Sequence, residues 1–143
     1  MPDVLIAADV PALREEVRSV LDPDVTVREV TRGSEVLPEV RKKLPDLVVL
    51  DLQIGKMGGM ATCLDLRLEE GAGRLPRVPV LMLLDRRADV FLARRAQADG
   101  WVVKPLDPMR LSRAVRAVLD GRRYEDEAYR PATVPVPAPA PAR

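Results

Sequence analysis

The chain alternates short, continuous apolar runs with longer stretches in which apolar residues recur every three or four positions. Continuous apolar runs are typical of strands covered on both faces, and the longer spacing is typical of amphipathic helices. The pattern predicts five strands, at residues 4–7, 26–30, 47–50, 78–84 and 100–103. It predicts five helices, at residues 11–21, 34–44, 60–70, 86–98 and from residue 108 onward.

Regular alternation of strand and helix implies a parallel sheet with right-handed crossovers and helices on both faces. We therefore predict an α/β fold: a flavodoxin-like (βα)5 doubly wound five-stranded parallel sheet with strand order 2-1-3-4-5. The second strand, Thr26–Val30, is partly polar and suits an edge of the sheet. The fully apolar run at residues 47–50, which ends in Asp51, suits the centre.

Proline and capping residues indicate several helix boundaries. Pro11 and Pro108 open the first and last predicted helices, where a missing backbone N–H has no cost, and Asp107 is expected to cap the last one. Pro38 lies inside the second predicted helix. It predicts an irregular start or a kink there, although Ser34 could cap that helix.

Charged residues follow three of the predicted strands. Asp9 comes after the first strand, Asp51 after the third and Lys104 after the fifth. In the predicted strand order these ends lie side by side at the carboxyl edge, where open α/β sheets bind their ligands. We therefore expect the three side chains to share one pocket. Simpler roles remain open, because Asp9 could cap the first helix and the other two could be solvated turn residues.

Composition narrows the chemistry that the chain can perform. Its 143 residues, 47% of them hydrophobic, are enough for one domain with a core of its own. The absence of histidine excludes Ser-His and Cys-His catalytic pairs, His-ligated zinc and a phosphohistidine carrier. The single cysteine, Cys63, cannot form an internal disulfide and is expected to be buried on a helix. We expect a cytoplasmic protein with no membrane insertion, because the start lacks a signal sequence and no apolar run is long enough to span a bilayer.

The composition changes after Gly121. Residues 122–130 are mostly charged, and residues 131–143 alternate proline with alanine and valine. Such a segment cannot form a helix or a central strand. We therefore predict a domain of residues 1–121 and an extended Pro/Ala-rich tail of residues 122–143 that a partner protein holds in place.

Two stretches at the predicted strand ends resemble the receiver domains of two-component response regulators. Residues 51–59 (DLQIGKMGG) are similar to the family's phospho-acceptor stretch, and residues 101–105 (WVVKP) are similar to its aromatic-x-x-Lys-Pro ending. The resemblance covers about residues 3–121. It implies that Asp51 accepts a phosphoryl group from a sensor kinase and that Lys104 contacts the phosphoryl oxygens. It also implies that Mg²⁺ binds to Asp9, Asp51 and the backbone carbonyl of Gln53.

Four positions depart from the family's pattern. Gly55 stands where the family usually has a proline and Gly58 where it usually has an acidic residue, and the other two bear on the chemistry of the site. Ala8 stands where one of a pair of acidic residues is expected, so Mg²⁺ binding is expected to be weak. Leu84 stands where the family has a Thr or Ser that reports phosphorylation. A leucine cannot donate a hydrogen bond to a phosphoryl oxygen. Because a ligand shifts an equilibrium only by interacting differently with its two states, we expect phosphorylation to have little effect on this chain.

Positive charge collects near the end of the predicted domain. Residues 86–123 contain ten basic and four acidic side chains, a net charge of +6, against −5 for the remainder. In the family, the fourth helix, fifth strand and fifth helix form the usual dimerisation or partner face. We expect an arginine-rich face with an exposed or half-exposed Trp101 at its centre, because Arg and Trp are over-represented at binding hot spots. Its predicted members are Arg87, Arg94, Arg95, Trp101, Arg110 and Arg113. The alternatives are a merely solvated helical face and, for Trp101, a plain packing role.

These observations favour a non-enzymatic protein-interaction or regulatory module that works without phosphorylation. It would dock on an acidic protein surface through the arginine-rich face and the tail, as an accessory subunit of a larger assembly. The alternative function is a working phospho-acceptor in a phosphorelay, phosphorylated on Asp51 by a sensor kinase. Direct DNA binding is not expected, because aromatic residues make up only 3% of the chain and no helix-turn-helix pattern follows Leu119.

Overall fold

Five parallel strands form one sheet in the order β2-β1-β3-β4-β5 in the computed structural model, which describes residues 1–126 of the chain. The strands are β1 (Asp3–Ala7), β2 (Thr26–Val30), β3 (Leu47–Asp51), β4 (Val80–Leu84) and β5 (Gly100–Val103). The predicted flavodoxin-like fold and strand order are confirmed. The partly polar β2 lies at an edge and the apolar β3 lies at the centre, as the pattern of the sequence predicts.

Helices cover both faces of this sheet. Within residues 1–126 the α-helices are α1 (Pro11–Ser19), α2 (Val36–Lys42), α3 (Gly59–Gly71), α4 (Val90–Arg95) and α5 (Pro108–Leu119). Short 3-10 turns, Gly33–Glu35 and Arg87–Asp89, precede α2 and α4. In this part of the chain, none of the helices has the length and apolar character that crossing a bilayer requires.

Alternate residues of each central strand contribute to two separate apolar clusters. Val49 and Leu83 pack with α1 and α5 on one face, whereas Val48 and Met82 pack with α2, α3 and α4 on the other. Each of these side chains is fully buried, and burial of one such side chain contributes about 1.5–3 kcal/mol. The two clusters hold the carboxyl ends of β1, β3, β4 and β5 in fixed positions at one edge of the sheet.

The predicted boundaries of α2 and α5 have different outcomes. The irregular start of α2 is confirmed, because a 3-10 turn precedes the helix and Pro38 is its third residue. The predicted cap by Ser34 is wrong, because this residue lies inside the turn and no side chain of residues 1–126 caps α2. Asp107 does cap α5, since its side chain accepts a hydrogen bond from the backbone N–H of Arg110 at 3.3 Å.

Among the elements that are shorter than the apolar pattern predicts, α4 and β4 each have a clear physical cause. The backbone of Gln97 adopts a left-handed conformation (φ 61°), which ends α4 two residues earlier, at Arg95. At its other end, α4 begins only at Val90, because the preceding residues form the 3-10 turn. β4 begins at Val80 rather than at residue 78, because Pro79 has no N–H to donate to a neighbouring strand.

The chain that follows α5 turns back to the outer edge of β5. Tyr124 forms a parallel bridge with Gly100, and the N–H of Trp101 donates to the Tyr124 carbonyl at 3.1 Å. The N–H of Val103 donates to Oδ2 of Asp126 at 3.0 Å. Residues 122–126, called the edge segment below, therefore lie along β5. The rest of the predicted tail, residues 127–143, lies outside the described residues, and the domain boundary at residue 121 stays a prediction.

Candidate functional site

Asp51 and Lys104 meet at the carboxyl edge of the sheet. Asp51 is the last residue of β3, and Lys104 directly follows β5. The ammonium Nζ of Lys104 lies 2.7 Å from Oδ1 of Asp51, whose side chain is only 2% exposed. The strand order that places β3 and β5 on either side of β4 brings these two ends to one pocket. The structure therefore brings together the acceptor and lysine positions that the sequence singles out.

Asp9 supports the loop that follows Asp51 rather than the first helix. Its Oδ2 accepts a hydrogen bond from the backbone N–H of Gly55 at 3.1 Å. The N-cap position of α1 is occupied by Val10, and none of the described side chains caps that helix. The interpretation of Asp9 as a helix cap is therefore wrong, because its carboxylate points to the neighbouring strand end. A Cβ atom on Gly55 would lie only 3.2 Å from the Asp9 carboxylate, so a small residue suits this position.

The loop between β3 and α3 is fixed by backbone contacts. The N–H of Gln53 donates to Oδ1 of Asp51 at 3.3 Å. The N–H of Gly33 donates to the Gly55 carbonyl at 2.9 Å, and the hydroxyl of Thr62 donates to the Met57 carbonyl at 2.9 Å. Oδ1 of Asp51 therefore accepts hydrogen bonds both from this loop and from Lys104, so the carboxylate is held in one orientation.

Asp85 is a member of the pocket that the interpretation of the sequence missed. It directly follows β4, and its Oδ1 lies 2.7 Å from Nζ of Lys104. The rule that selected Asp9 and Asp51, a charged residue just after a strand, applies to Asp85 as well. Burial lowers the pKa of Lys104, whereas hydrogen bonds to Asp51 and Asp85 raise it, and the net pKa lies above its ordinary value. Lys104 is therefore held as a cation between two carboxylates.

Ala8 and Leu84, the two departures from the family's pattern that bear on the chemistry, are both fully buried. Leu84 packs in the apolar cluster beneath α2, α3 and α4, and its carbonyl accepts the backbone N–H of Lys104 at 2.7 Å. Ala8 packs with the cluster on the opposite face, and its carbonyl accepts a hydrogen bond from the side chain of Arg14 at 2.8 Å. The pocket thus lacks a hydroxyl at the end of β4 and a carboxylate at position 8.

A metal ion would have few ligands here. In the part of the chain that the structure describes, no group of three or more acidic, cysteine or histidine side chains is placed to hold a metal. Asp9, Asp51 and the carbonyl of Gln53 are oxygen donors of the kind that Mg²⁺ takes, so their chemistry fits a weakly bound ion. One oxygen of each carboxylate already accepts a hydrogen bond. Mg²⁺ binding by this set stays a prediction.

Trp101 does not lie on the surface, and the expectation of an exposed or half-exposed indole is wrong. The residue is 2% exposed and packs into the cluster that α2, α3 and α4 cover. Two contacts explain this burial. The guanidinium of Arg94 lies over the ring, 5.4 Å from its centroid, and the edge segment pairs with the backbone of β5. The aromatic residue of the predicted partner face is therefore covered by the chain itself.

The arginines of this region are on the surface together with a different aromatic residue. Arg87, Arg94, Arg95 and Arg113 are exposed, and Arg110 is partly exposed. Phe91, the only phenylalanine of the chain, is 57% exposed on α4. Arg95 lies four residues after it on α4, a spacing that places residues on one face of a helix, and Arg87 lies in the 3-10 turn that precedes α4. We call Arg87, Phe91, Arg94 and Arg95 the α4 surface. Phe91 could have been found from the sequence, because it is the aromatic residue between two pairs of arginines, residues 86–87 and 94–95.

The geometry agrees with what comparison with known proteins finds. The response regulator receiver domain family matches residues 4–116. The DNA-binding response regulator MtrA of Mycolicibacterium smegmatis is 38% identical over 127 residues, which cover 87% of this chain and 52% of that protein. The nitrate/nitrite response regulator protein NarL of Escherichia coli is 30% identical over 131 residues, which cover 90% of this chain and 59% of that protein. The chain belongs to the family of response regulator receiver domains, and it spans roughly half the length of these curated relatives.

Solved structures support the same assignment. A LuxR-family two-component response regulator from Aurantimonas sp. has a TM-score of 0.77 and 28% identity, covering 90% of this chain and 92% of its own. The chemotaxis response regulator CheY4 of Vibrio cholerae has a TM-score of 0.73 and 26% identity, covering 82% of this chain and 98% of its own. The resemblance to receiver domains that the two motifs indicate is thereby confirmed.

Proposed function

We propose that this receiver domain is a regulatory interaction module that binds a protein partner and is not switched by phosphorylation of Asp51. The observation that carries the proposal is Leu84, which is fully buried at the end of β4 and has no hydroxyl. A phosphoryl group on Asp51 would have no donor at that position to draw towards it. Because a ligand can shift a conformational equilibrium only through differential contacts, phosphorylation would leave the distribution of states nearly unchanged.

The position of Trp101 gives the proposal further support. In the family, the aromatic residue of β5 moves when the acceptor is phosphorylated. Here the indole is buried under Arg94 in the cluster that α2, α3 and α4 cover, so moving it would disrupt that packing. The hydroxyl that would detect a phosphoryl group is missing at position 84. The aromatic residue that would respond to it has little freedom to move.

The proposed partner is a protein with an acidic surface and a small apolar pocket. Phe91 would enter the pocket, and Arg87 and Arg95 would pair with carboxylates around it, since interfaces bury an apolar centre inside a polar rim. Arg110 and Arg113 on α5, and the tail of residues 122–143, are further proposed contacts. The module would serve as an accessory subunit of a larger cytoplasmic assembly, without direct DNA contact.

A working phospho-acceptor is the second candidate. The direct contact between Lys104 and Asp51, with Asp9 supporting the adjacent loop, is the observation that favours it. In that case a sensor kinase would phosphorylate Asp51, and weakly bound Mg²⁺ would neutralise charge at the acceptor. The two candidates differ in whether the rest of the domain responds to the modification.

The deciding experiment treats the full chain with acetyl phosphate and Mg²⁺ and follows intact mass and tryptophan fluorescence. Trp101 is the only tryptophan, so its emission reports on β5 alone. We expect little or no gain in mass and an unchanged emission spectrum. Asp51→Asn is the control for modification at the acceptor. A stable mass gain that is absent in Asp51→Asn, together with a change in emission, would overturn the proposal in favour of the phospho-acceptor.

A further inference from the structure

The ammonium group of Lys104 is shared by two carboxylates from neighbouring strand ends. Its Nζ lies 2.7 Å from Oδ1 of Asp51 and 2.7 Å from Oδ1 of Asp85. The two acids differ in access to solvent, because the Asp51 side chain is 2% exposed and that of Asp85 is 36% exposed. Asp85 therefore covers the solvent side of a cation whose inner side is bound to the acceptor.

The register of the sheet enforces this contact. Leu84 pairs with Val103 in the ladder between β4 and β5, and the N–H of Lys104 donates to the Leu84 carbonyl at 2.7 Å. Asp85 directly follows β4 and Lys104 directly follows β5, so their side chains leave the sheet side by side. Lys104 is only 25% exposed, and charge contacts that are partly removed from water are screened less than those on an open surface.

We propose that Asp85 is a built-in competitor for oxyanions at Lys104, which keeps a phosphoryl group from approaching Asp51. The proposal rests on the proposed function and gives it a physical cause at the acceptor itself. The Asp85 carboxylate occupies the place on Lys104 that an incoming phosphoryl oxygen would need. It also adds a negative charge beside a site that must receive an anion.

The chemistry of the transfer shows what the competition prevents. An oxygen of the Asp51 carboxylate would attack the phosphorus of an acyl phosphate and form a new P–O bond. The bond between phosphorus and the acyl oxygen would break, and the carboxylate of the donor would leave with the electron pair. The transferred group keeps its negative oxygens, and nearby cations must stabilise them. Because Asp85 is paired with Lys104, the positive charge of the ammonium group is already neutralised on the side that faces solvent.

A different role for Asp85 makes the opposite prediction. If its carboxylate helped to hold Mg²⁺ in place of the acid missing at position 8, then its removal would weaken metal binding and slow the transfer. If Asp85 competes for Lys104, its removal speeds the transfer and strengthens anion binding. The sign of the effect therefore separates the two roles.

The test compares the full-length wild-type chain with Asp85→Ala and Asp85→Asn. One measurement is the rate of mass gain with acetyl phosphate at fixed Mg²⁺, and the other is calorimetric titration with beryllium fluoride, a mimic of the phosphoryl group that cannot be transferred. We expect Asp85→Ala to raise the rate and the affinity by at least about tenfold, the scale of one charge-assisted hydrogen bond. Asp85→Asn should give a smaller gain, because an amide oxygen can still accept from Lys104 but carries no charge.

Two controls guard against trivial causes. Asp24→Ala removes an exposed aspartate in the turn before β2 and should match the wild-type chain in both measurements. Asp51→Asn removes the acceptor and should abolish any mass gain. Thermal unfolding of each variant checks the fold, and Asp85→Asn, which preserves the size of the side chain, carries the test if Asp85→Ala does not fold.

Each outcome has a definite meaning. Gains in both measurements support the competitor role. If the wild-type chain and both Asp85 variants react equally slowly and bind beryllium fluoride equally weakly, the competitor role is overturned while the proposed function stands. A slower reaction in Asp85→Ala that extra Mg²⁺ restores would also overturn it, in favour of the metal ligand. A wild-type chain that gains mass rapidly and changes its tryptophan emission would instead overturn the proposed function.

Discussion

The backbone N–H of Val103 donates to the carboxylate of Asp126 at 3.0 Å, across 23 residues of sequence. The Asp126 side chain is completely buried. Its Oδ2 accepts this bond, while its Oδ1 has no hydrogen-bond partner among residues 1–126 and lies 4.0 Å from Nε of Arg110. A side-chain oxygen thus takes the place that a backbone carbonyl would hold in a sixth strand. The bond holds the edge segment along β5, next to the backbone of Trp101.

Loss of the Asp126 carboxylate should release the edge segment. Asp126→Ala leaves the buried N–H of Val103 without an acceptor, and we expect the free energy of unfolding to fall by about 1–3 kcal/mol. Trp101 should become more accessible to quenching by acrylamide. Urea denaturation and a quenching titration measure the two effects.

Two further variants make that result specific. Asp126→Asn keeps an acceptor for Val103 and should lose much less stability than Asp126→Ala. Asp120→Ala removes an exposed carboxylate that pairs with Arg122 on the surface, and we expect a change of at most about 0.5 kcal/mol. Equal stability of Asp126→Ala and the wild-type chain would show that this bond does not hold the segment.

Gly100 should also be required for the edge segment to lie against β5. A Cβ atom at this position would lie 2.8 Å from the Tyr124 carbonyl oxygen and 3.2 Å from Cγ2 of Val118. Gly100→Ala should therefore displace the edge segment and lower the free energy of unfolding by about 1–3 kcal/mol. The matched control is Gly71→Ala at the end of α3, where an added Cβ meets no atom of the described residues within 4 Å. That control should be neutral or slightly stabilising, because alanine favours helix over glycine. Denaturation curves that rank the two variants the other way would contradict the assignment.

The sequence predicts the sheet well because its signals are local and strong. The run that ends at Asp51 is apolar without interruption, and the ends of parallel strands must meet at one edge, so the contact between Asp51 and Lys104 follows from strand order. The covering of Trp101 does not follow in this way. Arg94 lies over the ring, and the backbone of Trp101 pairs with residues 122–126, which are polar and charged and carry no apolar pattern of their own.

The position of Asp85 and the end of α4 could not be predicted from the apolar pattern either. A residue just after a strand can point to the pocket or to solvent, and apolar spacing does not distinguish the two directions. Asp85 joins the pocket because the register of β4 and β5 places it beside Lys104. The early end of α4 results from the left-handed backbone of Gln97, a conformation that the apolar spacing of this stretch does not indicate.

Phe91 should carry most of the affinity of the α4 surface. Phe91→Ala should reduce recovery of a protein partner from native lysate by at least about tenfold, because a buried aromatic anchor at an interface contributes about 2 kcal/mol or more. Leu68→Ala removes another exposed apolar side chain, on α3, and should leave recovery unchanged. Arg95→Glu should weaken binding and reduce its dependence on salt, since it removes a charge contact. Equal recovery by Phe91→Ala and Leu68→Ala would remove the α4 surface from the proposal.

Stability at high pH should depend on Cys63. The thiol is fully buried on α3 and donates to the Ala96 carbonyl at 3.2 Å, and burial raises its pKa from the ordinary value of 9.0 to about 11. Between these two pH values the unfolded chain loses the thiol proton while the folded chain keeps it. The stabilisation is therefore complete below about pH 9 and is lost as the pH rises to about 11, by up to about 2–3 kcal/mol. Cys63→Ala lacks the titrating group, so its free energy of unfolding should fall less between pH 8 and pH 10.5 than that of the wild-type chain. Urea denaturation at the two pH values measures the difference, and parallel losses in the two proteins would show that the thiol does not titrate in this range.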